Sequence, residues 1–438
     1  MIVTNAVVLS VLILAILSLL KLPVFFALLI AAIVAGISGG LSLTDTMSLF
    51  VDGMGENANT ALSYILLGAL AYTINKSGAA AVMSRAIANV VKGHKLILAL
   101  IIVLVSIASQ TIVPVHIAFI PILIPPLLAL MNDMKMDRRM AAIAFAFGLK
   151  ATYIMVPFGF GGIFQGVVKD SVNSAGLNVA LSDIWKYVWP IGLAMGIGMV
   201  IGLLVFAKDR DYDPKLTHQA GLVGEFHHSP SHIKRDHWMT LLAGILTLLV
   251  QLVTGSLPLG ALLALIFLVM TRVVDWDETQ EMIQGGIDLM GYIAFVMLIA
   301  TGYSNVINNT GAIDQLVTST VSIIGGSQWL GASLMVLLGL LITLGVGSSF
   351  GTIPIIAALY VPLAQELNFS LSATVLLIVA AGALGDAGSP ASDTTLGPTA
   401  GLNADGQHDH IWDTVVPQFL CYNIPIILIT ILAAIWMS

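Results

Sequence analysis

Lys150 is the only basic residue set deep inside an apolar run of this 438-residue chain. Downstream, Asp386 and Asp393 flank a stretch of small residues, Gly385-Asp386-Ala387-Gly388-Ser389-Pro390-Ala391-Ser392-Asp393-Thr394. A charge in hydrocarbon costs several kcal/mol, so an ionisable side chain there marks a functional site by default. The Lys150 ammonium could sit where a sodium ion would otherwise bind, or it could receive the carboxylate of a solute. The structural alternative is an ion pair with Asp386. Around the aspartates, Gly385, Gly388 and Pro390 disfavour a regular helix and free backbone carbonyls, while Ser389, Ser392 and Thr394 add hydroxyls. Hard cations prefer oxygen ligands of this kind. The expected ion-coupling set is therefore Lys150, Asp386, Ser389, Ser392, Asp393 and Thr394, serving Na+ or H+ with no other cofactor. The competing reading is a solvated loop carrying both aspartates.

Two further polar breaks interrupt long apolar runs. Ser109-Gln110-Thr111-Ile112-Val113-Pro114 lies within 96–131, and Ser348-Ser349-Phe350-Gly351-Thr352-Ile353-Pro354 lies within 329–365. Polar backbone at membrane depth is tolerated only where protein or a water-filled cavity satisfies it. Paired breaks of this kind point to a solute site near the bilayer midplane. Ser109, Gln110, Thr111, His116, Lys150, Ser348, Ser349 and Thr352 are the expected substrate-binding residues. Helix N-termini after such breaks aim backbone N–H groups at the cavity, which suits a carboxylate. His116 could bind solute or shuttle protons; the alternative is a packed, hydrogen-bonded histidine.

Three other constellations lead nowhere. Asp209-Arg210-Asp211-Tyr212-Asp213 opens like a calcium loop, but Pro214 stands at its sixth position and Ala220 at its twelfth, where glycine and glutamate are required. His227, His228, His232 and His237 lie in a polar linker. His408-Asp409-His410 with Asp413 lies in a loop with no further ligand set, so no metal site is expected. With neither a nucleophile–base pair nor a closed metal shell, an enzyme is not expected.

The elements that must position these residues follow from composition. The chain is 58% hydrophobic and only 9% charged, far below the roughly 25% charge of soluble domains, which gives an all-α polytopic membrane protein. Its net charge of -7 comes with no basic stripe, which excludes nucleic acid as a partner. The single cysteine, Cys421, rules out an intramolecular disulfide. The first span lacks a basic leader and a cleavage site, so it reads as a retained helix. Crossing helices are expected near 4–20, 22–40, 60–75, 139–156 and 184–207, and again near 237–254, 257–273, 289–307, 370–386 and 414–436. Most reach the roughly 17–25 residues a crossing needs. The runs 96–131 and 329–365 read as re-entrant hairpins with tips near the midplane, or else as two complete spans each.

Five crossings per half would invert one half relative to the other. The first repeat occupies 1–207, with hairpin 96–131 and broken helix 139–160. A cytoplasmic linker, 208–236, precedes the second repeat, 237–438, with hairpin 329–365 and broken helix 370–398. Pro23 matches Pro258, Asn75-Lys76-Ser77-Gly78 matches Asn308-Asn309-Thr310-Gly311, and Pro114 matches Pro354. With the linker inside, every Lys and Arg except Lys150, Lys169 and Lys186 faces the cytoplasm, as the positive-inside rule demands. Both termini then lie outside. The stretch 79–93 suits an amphipathic helix on the inner surface, with 312–325 as its outer counterpart.

The run Gly385-Asp386-Ala387-Gly388-Ser389-Pro390-Ala391-Ser392-Asp393-Thr394-Thr395-Leu396-Gly397-Pro398-Thr399, continuing through Gly401 to His410, resembles a signature of the Na+/H+ antiporter-like family of the ion transporter superfamily. Relatives there, the dicarboxylate/sodium symporters among them, carry Ser-Asn-Thr at each hairpin tip. Here Ser109-Gln110-Thr111 departs by one residue and Ser348-Ser349-Phe350 by more, so dicarboxylate selectivity does not carry over. The resemblance implies a homodimeric inner-membrane carrier with a fixed scaffold and a mobile, elevator-like transport domain. It also implies cation/proton exchange, or amino-acid permease activity with histidine among the candidate solutes. The resulting expectation is a secondary transporter of a small carboxylate-bearing solute, most simply an amino acid, coupled to H+ or Na+. The alternative is a Na+/H+ antiporter with Asp386 as the exchanging carboxylate.

Overall fold

The computed structural model describes residues 4–56, 58–111, 120–219, 235–316, 319, 326–347 and 349–438. Among the described residues the protein is helical throughout, with one isolated β-bridge, Met136 to Asp209. The first half runs through α1 (Ala6–Leu19), α2 (Val24–Ser38), α3 (Leu43–Glu56), α4 (Ala58–Lys76), α5 (Ala79–Val91), α6 (Lys95–Thr111), α7 (Ile120–Asp133), α8 (Arg138–Met155), α9 (Phe160–Ser174) and α10 (Leu181–Val205). The second half follows with α11 (Arg235–Thr254), α12 (Leu257–Met270), α13 (Thr279–Asn309), α14 (Gln328–Val346), α15 (Ser349–Glu366), α16 (Leu371–Leu384), α17 (Asp393–Leu402) and α18 (His410–Met437).

Among the described residues, α10, α11, α14 and α18 are each long and apolar enough to cross a bilayer alone. The α8–α9 pair reaches that only as one broken span, bent by 50°. Each of the ten expected crossings coincides with a helix, but the expected list is incomplete. Helices α3 and α9 fall outside it because Asp45, Asp52, Lys169 and Asp170 interrupt their apolar character. Helix α13 is longer than expected, at 31 residues. The stretch 79–93 forms α5, which turns into α6 through a 118° bend. Its counterpart 312–325 lies largely outside the described residues.

Helices in lipid associate through close approach of small residues, and this chain does so repeatedly. A Cβ on Gly68 would lie 2.6 Å from the Gly286 carbonyl oxygen, which locks α4 against α13. A Cβ on Gly339 would meet that of Ala381 at 2.1 Å, which locks α14 against α16. Thr343 Oγ1 then donates to the Ala381 carbonyl at 2.8 Å across the same seam. Helices α4, α5, α11, α12 and α13 share a core of their own, built on residues such as Leu70, Ile74, Ala243, Leu265 and Met282. A larger core takes in α6 to α10 and α14 to α18, together with α1, α2 and residues of α4 and α13 such as Tyr64 and Tyr303.

Within that larger core the packing has a matched form. Helix α9, which follows the break after α8, lies on α15. Helix α17, which follows the break after α16, lies on α7. At 19 residues α14 is long enough for a full crossing. Its end nevertheless packs where α16 stops after 14 residues, since a Cβ on Gly385 would sit 2.2 Å from the Thr343 carbonyl carbon.

Candidate functional site

Helix α8 carries Lys150 on a π-helical segment, Phe147–Ala151. Such segments add a residue to a turn and occur mostly at functional sites. Gly148 lets this turn approach α6, where a Cβ would come within 2.4 Å of the Ser106 Cβ. Tyr153 follows Lys150 by three residues and so shares its helical face. Both side chains point to Asp386.

Asp386 follows the C-terminal end of α16, in the break before α17. Lys150 Nζ forms an ion pair with Asp386 Oδ2, the lysine side chain being wholly buried and the aspartate 5% exposed. The ammonium's contact here is that carboxylate oxygen. Four hydroxyls complete the surroundings. Tyr153 donates to Asp386 Oδ2 at 2.5 Å. Ser349 Oγ, 2.6 Å from the tyrosine oxygen, reaches the same carboxylate oxygen. Ser392 donates to Oδ1 at 2.5 Å. Thr394 donates to the Asp386 carbonyl at 2.8 Å, with its oxygen 3.3 Å from Oδ1. The first broken helix, the second hairpin tip and the second break thus meet on one carboxylate.

An aromatic cluster covers Tyr153. Its ring centroid lies 4.9 Å from that of Phe164 and 5.8 Å from that of Phe350, and Phe350 in turn lies 5.1 Å from Phe160. These rings belong to α8, α9 and α15, so the packing of α9 on α15 directly walls the ion pair.

Of the residues expected from sequence, Lys150, Ser349, Asp386, Ser392 and Thr394 converge. A solvated loop is excluded for Asp386, which is 4% exposed. Asp393 opens α17 and is half-buried. Ser389 is buried but donates to the Leu344 carbonyl at 3.4 Å rather than to Asp386. The hydroxyls of Ser109, Thr111 and Thr352 turn back onto their own helices, donating to the carbonyls of Ser106, Ile107 and Ser349. Gln110 is fully buried. The end of α6 closes on the break after α8, because a Cβ on Gly159, whose φ is +63°, would lie 2.5 Å from the Gln110 carbonyl oxygen. His116 and Ser348 lie outside the described residues.

The sequence reading missed Tyr153, although its spacing from Lys150 was legible. It also missed a second buried network at the linker end. Arg138 makes a bidentate pair with Asp405 at 2.6 and 2.7 Å, and donates to the Leu402 carbonyl at 2.8 Å. Thr217 Oγ1 donates to the same aspartate at 2.6 Å, and Arg210 pairs with Asp413 at 2.6 Å. Burial works to raise the Asp405 carboxyl, yet its bonds to Arg138 hold it below the ordinary range. Burial pushes the neighbouring His408 down to about 3, and its Nε2 lies 2.6 Å from Thr414 Oγ1. His410 bridges the Thr399 hydroxyl at 2.8 Å and the Pro390 carbonyl at 3.0 Å, so it braces the break from behind. His408 and His410 are therefore packed and bonded, and no group of three metal-ligating side chains occurs among the described residues.

Comparison with known proteins gives these features a context. The sequence matches the Na+/H+ antiporter family over residues 144–435 and the Na+-H+ antiporter family over residues 5–91. It is 46% identical over 447 residues to "Putative amino acid transporter YuiF" of Bacillus subtilis (strain 168), covering 98% of this chain and 99% of that protein. It is 43% identical over 449 residues to "Uncharacterized membrane protein VP2115" of Vibrio parahaemolyticus serotype O3:K6 (strain RIMD 2210633), with 98% and 99% covered. Among solved structures it resembles Neisseria gonorrhoeae MtrF, with a TM-score of 0.41, 12% identity, and 94% and 95% of the chains covered. It also resembles the Alcanivorax borkumensis YdaH transporter, with a TM-score of 0.42, 15% identity, and 90% and 88% covered. Both scores fall below the level at which two folds can be equated. The family matches and the near full-length relatives instead decide the matter: the chain is a multi-pass inner-membrane secondary transporter and belongs to the Na+/H+ antiporter family.

Proposed function

We propose that this transporter carries a small zwitterionic solute, an amino acid, in exchange or symport with a cation that acts through Asp386. The single observation behind this reading is the buried Lys150–Asp386 pair at the junction of two broken helices and a hairpin tip. Removing one member of a buried ion pair strands the other at a cost of about 3–5 kcal/mol. A solute bearing only a carboxylate would leave Asp386 bare, and one bearing only an ammonium would leave Lys150 bare. A zwitterion satisfies both at once, with its carboxylate to Lys150 and its ammonium to Asp386 and the surrounding hydroxyls. The name of the Bacillus relative agrees with this class of solute.

The alternating-access motion in this reading is elevator-like. The core shared by α4, α5, α11, α12 and α13 would serve as scaffold, and the hairpins and broken helices would move as a unit. The two inverted repeats, 1–207 and 237–438, are part of the same proposal. They are supported by the matched packing of α9 on α15 and α17 on α7. The homodimer implied by the resemblance is a further part of the proposal, which cross-linking in native membranes tests.

Uptake of an amino-acid panel into proteoliposomes, with proton and sodium gradients dissipated in turn, is the deciding experiment. Accumulation of at least one amino acid under a gradient is expected, and no accumulation of any solute defeats the proposal. A second reading, Na+/H+ antiport at Asp386, is favoured by the family description and by the oxygen-rich surroundings of that carboxylate. It requires sodium-driven proton movement without organic solute, abolished by Asp386→Asn.

A further inference from the structure

The Asp386 surroundings have the composition of a monovalent-cation site. Two carboxylate oxygens and the hydroxyls of Tyr153, Ser349, Ser392 and Thr394 face one another within hydrogen-bonding range. The position also lies at the C-terminal end of α16, where the helix dipole favours positive charge. Oxygen donors of this number and hardness suit sodium. Yet the place is taken, because Lys150 Nζ sits against Asp386 Oδ2.

We propose that Lys150 is a tethered occupant of this cation seat, so that the resident ammonium replaces the sodium ion that the family description implies. The inference rests on the reading of Asp386 as the coupling carboxylate and goes one step beyond it. One buried carboxylate balances one positive charge. Asp386 carries the direct ion pair and the half-buried Asp393 acts on Lys150 from farther off, so adding sodium while Lys150 stays would crowd two cations against the Asp386 carboxylate. The ammonium's contact in this seat is the Asp386 carboxylate itself. It is therefore held by a charge that a solute's ammonium can share, provided a carboxylate arrives to hold Lys150. Sodium brings no such carboxylate, which is why the seat excludes the metal and admits the zwitterion.

The test is radiosodium binding to purified, detergent-solubilised protein by scintillation proximity, comparing wild type with Lys150→Ala and with Lys150→Ala combined with Asp386→Asn. Wild type should show no saturable sodium binding. Lys150→Ala should gain affinity by roughly a hundredfold or more, the scale set by an unpaired buried charge. The double variant should lose that gain. Saturable binding by wild type overturns the proposal, as does a monodisperse Lys150→Ala protein that binds none. If Lys150→Ala does not fold, wild-type uptake with choline replacing sodium decides instead. Rates unchanged within about twofold support the inference, and a loss of tenfold or more overturns it. The binding assay needs no transported solute, so its outcome is separate from that of the uptake panel.

Discussion

Asp386 gathers donors from three separate elements, and Tyr153 is the one whose removal is most informative. Its phenol donates to the carboxylate while its ring packs on Phe164 and Phe350. Tyr153→Phe keeps the ring and deletes the donor. A hydrogen bond to a charged group is worth about 1.5–3 kcal/mol, so the melting temperature should fall by a few degrees, while kcat/KM for solute uptake should fall about tenfold to a hundredfold. Uptake kinetics beside a thermal-shift measurement separate these outcomes; a fall in melting temperature with uptake kept would make Tyr153 a packing residue. Lys150 and Asp386 were legible in the sequence because charge in an apolar run has few explanations. Tyr153 was not singled out, because a phenol among apolar residues reads as ordinary packing until a partner is known. Asp405 carried no local signal at all, lying 267 residues from Arg138 in the chain. The arginine itself had already been accounted for as one of many inward-facing charges.

At the scale of elements, hydropathy placed the crossing helices well, since apolar length is what the bilayer selects. It also placed the breaks after Met155 and Leu384, since Gly, Pro and hydroxyl residues interrupt helices by known means, while part of each hairpin break lies outside the described residues. It gave no warning of α3 and α9, whose charged residues Asp45, Asp52, Lys169 and Asp170 break the apolar pattern that marks a crossing. Nor did it foresee the π segment under Lys150, which depends on tertiary contact with α6. That segment yields a prediction distinct from any substitution. Deleting Gly148 should restore regular α-helical winding, and one residue is worth about 100° of rotation about the axis. Lys150, inside the turn, would then lose its aim at Asp386 while Tyr153 and α9, beyond the turn, keep their places. Uptake should fall to background, and the protein should still elute as a folded species on size-exclusion chromatography. Normal uptake by the deletion variant would show that the π turn does not orient the site.

For the whole molecule, the linker end is closed by a network joining residues from both halves. Arg138→Ala or Asp405→Ala each leaves a buried charge alone, which costs about 3–5 kcal/mol. The double alanine variant should be less damaged than the sum of the two, as a thermal double-mutant cycle in detergent measures. Acid acts on the same region in two steps. His408 is held neutral by burial, with its folded pKa near 3, below the ordinary histidine value. Its contribution is therefore present at neutral pH and lost as pH falls from about 6.5 toward 3, about 2 kcal/mol by pH 5. Asp405 is likewise depressed, so its share is lost only below the ordinary carboxylate range. Melting temperature should decline between pH 7 and 5, and His408→Gln should flatten that decline. An unchanged slope in that variant would remove His408 from the account.

The Arg138–Asp405 clamp also bears on how the protein is made. Arg138 emerges from the ribosome with the first half, but the carboxylate that neutralises it is synthesised hundreds of residues later. Until then the guanidinium's bonded neighbour near it in sequence is the neutral Asn132 side chain, at 3.0 Å. A product that ends before Asp405 never gains the neutralising charge, so truncation near the end of the chain costs more than the few contacts it removes.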